Sequence, residues 1–155
     1  MRLDLIAVGR RPPDWVRAGV DEFATRMPRH LPLAVRAVPA SEARRSGDVE
    51  RARAREADAL LAAAGPARLV ALDERGRAWR TRDLADYLDA AMQEGCDLAF
   101  VIGGADGLHE RCRAAAQRVW SLSALTLPHM LVRVIVAEQL YRAWTLLAGH
   151  PYHRG

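Results

Sequence analysis

The chain contains no lysine, few aromatic residues (6%) and two cysteines, Cys96 and Cys112. It also has no apolar run near the roughly 18 residues that cross a bilayer. Cys96 and Cys112 show neither CxxC spacing nor a neighbouring histidine cluster, so a disulfide framework and a zinc site are both excluded. They are expected to be reduced and structural, with no metal bound. The start, Met1 to Leu5, lacks the apolar stretch and cleavage site of a secretory signal, which together with the missing span predicts a cytoplasmic protein with no membrane partner.

Several chemical signatures are missing as well. There is no GxGxxG turn after the first apolar run, no GK[ST] phosphate loop and no GxSxG nucleophile elbow. Those absences remove support for dinucleotide binding, for phosphoryl transfer and for serine hydrolysis.

What is present is a globular balance of 50% hydrophobic and 27% charged residues in 155 residues. That length fits one domain, residues 1–155, burying about two-thirds of its unfolded surface. All 23 basic residues are arginine in an alanine-rich chain, a compositional bias that makes the arginine count alone uninformative. Its distribution says more. Residues 1–111 carry 18 arginines against 18 carboxylates, whereas residues 112–155 carry 5 arginines against Glu138 alone, so the net charge of +4 lies in the last segment. His129, His150 and His153 fall there too, and a polyanionic partner is the natural candidate. An incidental asymmetry of a solvated surface is the other reading.

Short apolar runs at Leu3 to Val8, Leu33 to Val38, Arg68 to Leu72 and Leu98 to Ile102 are bounded by turn residues and predict buried parallel strands. Helical patterns lie between them, at Asp14 to Arg26, Asp48 to Ala64 and Thr81 to Glu94, the last two closed by glycine. A further helix is predicted from about His109 to Val119. The alternation argues for an α/β sandwich. From Met130 to Ala148 apolar residues surround a last helix, which therefore needs cover on two sides. A partner subunit or a central core position would each supply it.

In open α/β sheets, ligands bind where strands end. Two such ends are Leu72 to Gly76 and Gly103 to Gly107; glycines let a ligand reach the main chain, although such a loop is also a common tight connection. The stretch Trp120 to His129 (WSLSALTLPH) alternates hydroxyl and apolar side chains, as an edge strand or a pocket wall would. Its tail counterpart, His150-Pro-Tyr-His-Arg154, combines groups that stack on an unpaired base and hold phosphate, or else forms a frayed basic end.

Taken together, Phe100 to Gly104, Trp120 to His129, Leu140-Tyr-Arg-Ala-Trp144 and His150 to Arg154 resemble the RlmH (YbeA) family, a minimal branch of the SPOUT methyltransferases. Leu5-Ile-Ala-Val-Gly9, Pro13-Asp-Trp15 and Ala63-Ala-Gly65 leading into Leu72-Asp73 resemble it too, so the likeness spans the chain. The resemblance implies a SPOUT-type α/β sandwich with a parallel sheet and a C-terminal trefoil knot, working as a homodimer. It implies S-adenosylmethionine-dependent methylation of N3 of a pseudouridine in the 23S rRNA stem-loop at the ribosomal subunit interface. Carried over residue by residue, the donor pocket involves Leu72, Gly103, Gly104 and the loop Ser123, Ala124, Leu125, Thr126, Leu127 and Pro128.

N3 of pseudouridine lies between two carbonyls, so a base or a cation would assist its loss of a proton. His129, Tyr152, His153 and Arg154 are the catalytic candidates, with the tail reaching the target base, in one subunit or across the dimer. Glu138 is expected to pair with Arg142 one turn later. Where the family usually reads Gly-Gly-Pro-Glu-Gly, this chain has Gly103-Gly-Ala-Asp-Gly107, which frees the loop while keeping its acid. Two other functions fit the residues less well: a SPOUT enzyme acting on another RNA such as a tRNA, and an inactive ribosome-binding relative, which would show damage between Ser121 and His129. With so little surplus charge and no appended RNA-binding domain, assembled ribosomes are the expected substrate rather than naked RNA.

Overall fold

A computed structural model of the chain describes residues 1–153. Its five strands are β1 (Leu3–Val8), β2 (Leu33–Val38), β3 (Arg68–Ala78), β4 (Leu98–Ile102) and β5 (Arg118–Ser121). The helices are α1 (Asp14–Ala24), α2 (Val49–Ala64), α3 (Thr81–Glu94), α4 (Glu110–Ala115) and α5 (His129–Ala148). All strand pairs are parallel, in the order β2-β1-β4-β3-β5. β1 and β4, inside the sheet, are buried at every position, which is why their sequences run apolar without alternation, broken only by Asp4 of β1, which pairs with Arg2 (3.2 Å) and Arg36 (3.3 Å).

Two cores result, one on each face of the sheet. Val16 and Val20 of α1, Leu84 and Leu88 of α3, and Val136 and Leu140 of α5 pack with Leu5, Phe100 and Trp120. On the other face Ala57 and Leu60 of α2 and Cys112 of α4 pack with Ile6, Ala71 and Val101. Helix α5 is a core helix between α1 and α3, and still has Leu131 and Ile135 half-exposed. The chain thus leaves β3 toward one face and β4 toward the other, and neighbouring strands that part this way open a crevice at their carboxyl ends.

One predicted element is corrected. The helix expected to reach Val119 stops at Ala115, and Arg118–Ser121 instead forms the edge strand β5 beside β3. Gln117 N–H donates to the Leu69 carbonyl (2.9 Å), drawing the chain into the sheet where Val119 and Trp120, poor helix formers, pack well. β3 also outlasts its apolar run: Leu72 and Arg77 both pair with Trp120, so residues 73–76 bulge across the top of β5. Gly76 makes that crossing feasible, because a Cβ there would lie 2.5 Å from the Val119 carbonyl oxygen.

Candidate active site

The crevice is a cavity of about 650 Å³, a size suited to a nucleoside-sized ligand. Leu72 and Gly103 and Gly104, at the ends of β3 and β4, form part of its wall together with Ser123, Leu125, Thr126, Leu127, Pro128 and His129. Those residues are separated by up to 57 positions in the chain and converge because the sheet places β3, β4 and β5 side by side. Ala124 stands in the same loop but is exposed and does not contribute to the wall.

The wall is apolar through Leu72, Ile102, Trp120, Leu122 and Val132 and polar at its rim. Among protein groups of the described residues, the buried Trp120 Nε1–H has no acceptor. Its ring is fixed by stacking on Trp79 (5.3 Å between centroids) and by an edge contact with Phe100 (6.2 Å). Gly103 leaves no room for a side chain, since a Cβ would fall 2.6 Å from the Gly107 carbonyl carbon. Of the two readings of this stretch, edge strand or pocket wall, each holds for part of it, and its serine hydroxyls tie the loop to itself: Ser121 Oγ–H donates to the Ser123 carbonyl (3.0 Å) and Leu125 N–H to Ser123 Oγ (2.9 Å). Thr126 donates to the Glu74 carboxylate (3.3 Å) and so joins this loop to the end of β3.

His129 begins α5. Burial, followed by the nearby Arg133 and Arg44 guanidinium groups, lowers its pKa below the ordinary imidazole value, and its Nδ1 has no partner among the described residues. Arg133, one turn later, is 4% exposed and held without a carboxylate by the carbonyls of Val8 (2.6 Å) and Gly9 (2.9 Å). A cation so placed favours neutral or anionic neighbours.

Tyr152 and His153 do not join His129. Pro151–His153 forms a short 3-10 turn folded back on α5, where Tyr152 Oη–H donates to Glu138 (3.1 Å) and its ring lies over Arg142 (5.0 Å). Burial and that bond raise the phenol's pKa. Glu138 also pairs with Arg142 (2.8 Å), as expected from their spacing. Since Glu138 is nine residues beyond His129, the tail is anchored about 13 Å along the helix from the cavity. Arg154 lies outside the described residues.

Among the described residues the C-terminal arginines are largely internal: Arg133 is buried, Arg113 pairs with Asp73 and Arg142 with Glu138, while Arg118 is exposed at the edge of β5. Sequence reasoning missed the arginines at the rim, Arg53 and Arg113, which both donate to the Leu108 carbonyl (2.6 and 3.0 Å); Asp73 and Glu74, in the strand end already singled out, stand there with them. No local pattern marks such pairs, whose members lie 40 or more positions apart (Asp73 and Arg113, Arg53 and Leu108).

A parallel α/β sheet with a glycine-walled cavity at its carboxyl edge defines an α/β domain that can take a ligand against main chain and apolar groups. The chain belongs to the RlmH family of SPOUT methyltransferases: a family model described as "Predicted SPOUT methyltransferase" matches residues 1–153. Solved structures agree in fold. A probable methylase family protein from Haemophilus influenzae Rd KW20 is 14% identical, with a TM-score of 0.62 over 99% of this chain and 70% of its own. A probable methyltransferase from Bordetella pertussis Tohama I is 19% identical, with a TM-score of 0.61 over 92% of this chain and 93% of its own. The protein is therefore a SPOUT methyltransferase with an all-parallel sheet. Among the described residues no helix is long and apolar enough to cross a membrane.

Proposed function

We propose that the protein methylates N3 of a pseudouridine in 23S rRNA, using S-adenosylmethionine, within assembled ribosomes and as a homodimer whose C-terminal segment is knotted as a trefoil. The observation that carries this reading is the single cavity joining Leu72, Gly103, Gly104, the loop Ser123–Pro128 and His129. Its volume, its glycine-lined main chain and the unpartnered Trp120 N–H fit a nucleoside ligand, while Glu74 offers the rim a carboxylate suited to a cationic donor.

When bound, S-adenosylmethionine supplies an activated methyl group, so the protein's tasks are placement and the removal of one proton. Leu72, Ile102, Leu125 and Leu127 cover the faces of a base, and the loop's N–H and C=O groups are available to its edge. His129, kept neutral by burial and by the Arg133 cation, would accept the proton of N3 as the methyl group passes from the donor's sulfonium to N3, the sulfur leaving as a neutral thioether. The tail residues Tyr152, His153 and Arg154 approach the target base from the partner subunit, a reading supported by the anchoring of Tyr152 away from its own cavity. Half-exposed Leu131 and Ile135 on α5 support a subunit contact there. A preference for assembled ribosomes is supported by the pairing of Arg113 and Arg142 and the burial of Arg133, which withhold three C-terminal arginines from naked RNA.

The test is transfer of labelled methyl from S-adenosylmethionine to ribosomes lacking this modification, followed by mass-spectrometric mapping. Label at N3 of a pseudouridine in 23S rRNA is expected. Label on a tRNA would replace the substrate but keep the reaction, donor binding without transfer to any RNA would indicate an inactive relative, and efficient labelling of protein-free 23S rRNA would remove the ribosome preference.

A further inference from the structure

The glycine loop of residues 103–107 is tied down by a residue remote from the cavity in sequence. Arg44 sits in a 3-10 turn, Glu42–Ser46, between β2 and α2. Two of its guanidinium nitrogens grip Glu56 of α2 (2.8 and 3.0 Å), and Nε donates to Asp106 at the crest of the loop (2.6 Å). Glu56 is 3% exposed and also accepts the Ser41 N–H (2.9 Å), so the anchor is fixed on the side away from the loop.

The loop is seated directly on this pair. At Gly104 a Cβ would stand 3.3 Å from Val8 Cγ1 and 3.7 Å from both Arg44 Nη1 and Glu56 Oε1. The loop closes on itself through Gly107 N–H to the Gly104 carbonyl (3.0 Å), and its far end is held at the Leu108 carbonyl by Arg53 and Arg113. Asp106 is the crest's link to the α2 side of the molecule, and it is 35% exposed, so the loop can part from Arg44 while the Arg44–Glu56 pair stays intact. Alanine at position 105 leaves the chain freer there than proline would, which increases the conformational entropy the link must oppose.

We propose that Arg44 is a positioning residue which, braced by Glu56, latches the 103–107 loop through Asp106 and so holds one wall of the cavity ready for the methyl donor. The inference rests on the donor reading of the cavity, and its tests separate the two. Donor affinity is measured by titration calorimetry with S-adenosylmethionine on the full chain, for the wild type, Asp106→Asn, Arg44→Gln and the double variant. Hydrogen exchange of the Gly107 amide is followed in the same proteins without ligand.

Asp106→Asn, which leaves the buried Arg44–Glu56 pair whole, is expected to weaken donor binding about fivefold and to speed Gly107 exchange by a similar factor. The double variant should be no worse than Arg44→Gln alone, and Asp106→Glu should recover most of the affinity. Unchanged Gly107 exchange in Asp106→Asn, or additive losses in the double variant, would overturn the latch. A wild type that binds no S-adenosylmethionine would sink the donor reading instead, and the exchange data would then decide the latch by themselves.

Discussion

A neutral imidazole beside guanidinium groups responds to acid differently from a free one. The pKa of His129 is lowered chiefly by burial and then by Arg133 and Arg44. Below the ordinary histidine value, about 6.5, the unfolded chain binds this proton before the folded one does. Stability is therefore greatest above that pH and is lost as the pH falls toward the folded value. The same shift keeps His129 able to accept a proton at neutral pH, so the acid limb of single-turnover methyl transfer should lie below about 6.5 and disappear in His129→Ala, with a rate loss of about a hundredfold. A limb above the ordinary value would remove His129 from the role of base. The residue itself was legible, because it closes a stretch that both pattern and resemblance single out. Arg44 and Glu56 were not, since partners 12 positions apart on a 3-10 turn and a helix leave no periodic trace.

At the scale of elements, apolar runs bounded by turns marked β1, β2 and β4 at their observed limits. They failed where tertiary pairing overrides local preference. The run Arg113 to Gln117 reads as helix, yet the strand that follows is fixed by a neighbour nearly 50 positions earlier, Leu69. The extension of β3 to Ala78 was hidden because a bulged, half-exposed segment carries polar residues instead of an apolar run. Gly76 is the hinge of that arrangement: Gly76→Ala places a methyl against the Val119 carbonyl and the Trp120 nitrogen, at 2.5 and 2.8 Å. Urea unfolding should report a loss of about 1–3 kcal/mol. Because Trp120 belongs to the cavity wall, donor affinity should fall as well. A stability change within about 0.5 kcal/mol would mean the crossing strands separate freely.

At the scale of the molecule, cavity and tail lie at different levels of the same helix. His129 opens α5, and Tyr152 is moored to Glu138 further along it. If the tail serves a partner's cavity, two inactive variants should complement each other. A subunit carrying His129→Ala mixed with one lacking Tyr152 to Gly155 leaves one heterodimer site with an intact cavity and an intact tail. Methyl transfer should reappear on mixing and subunit exchange, whereas continued inactivity would place both parts in one chain. Nothing in the periodicity of the sequence could reveal the docking of the tail, because the segment His150 to His153 has the composition of a loose end and is held by contacts with α5 and with Phe23 of α1.

The clamp of Arg133 on the carbonyls of Val8 and Gly9 joins residues 125 and 124 positions apart. During synthesis, then, the first strand leaves the ribosome long before the residues that complete its surroundings exist. β4, its neighbour in the sheet, follows some 95 residues later, and α5 later still. Until then Leu3, Leu5 and Ile6 have no finished core to enter, and loop closure over such separations slows folding. A nascent chain of this protein is exposed to aggregation throughout the synthesis of the residues between β1 and Arg133, and chaperone capture should be strongest on chains halted before residue 133.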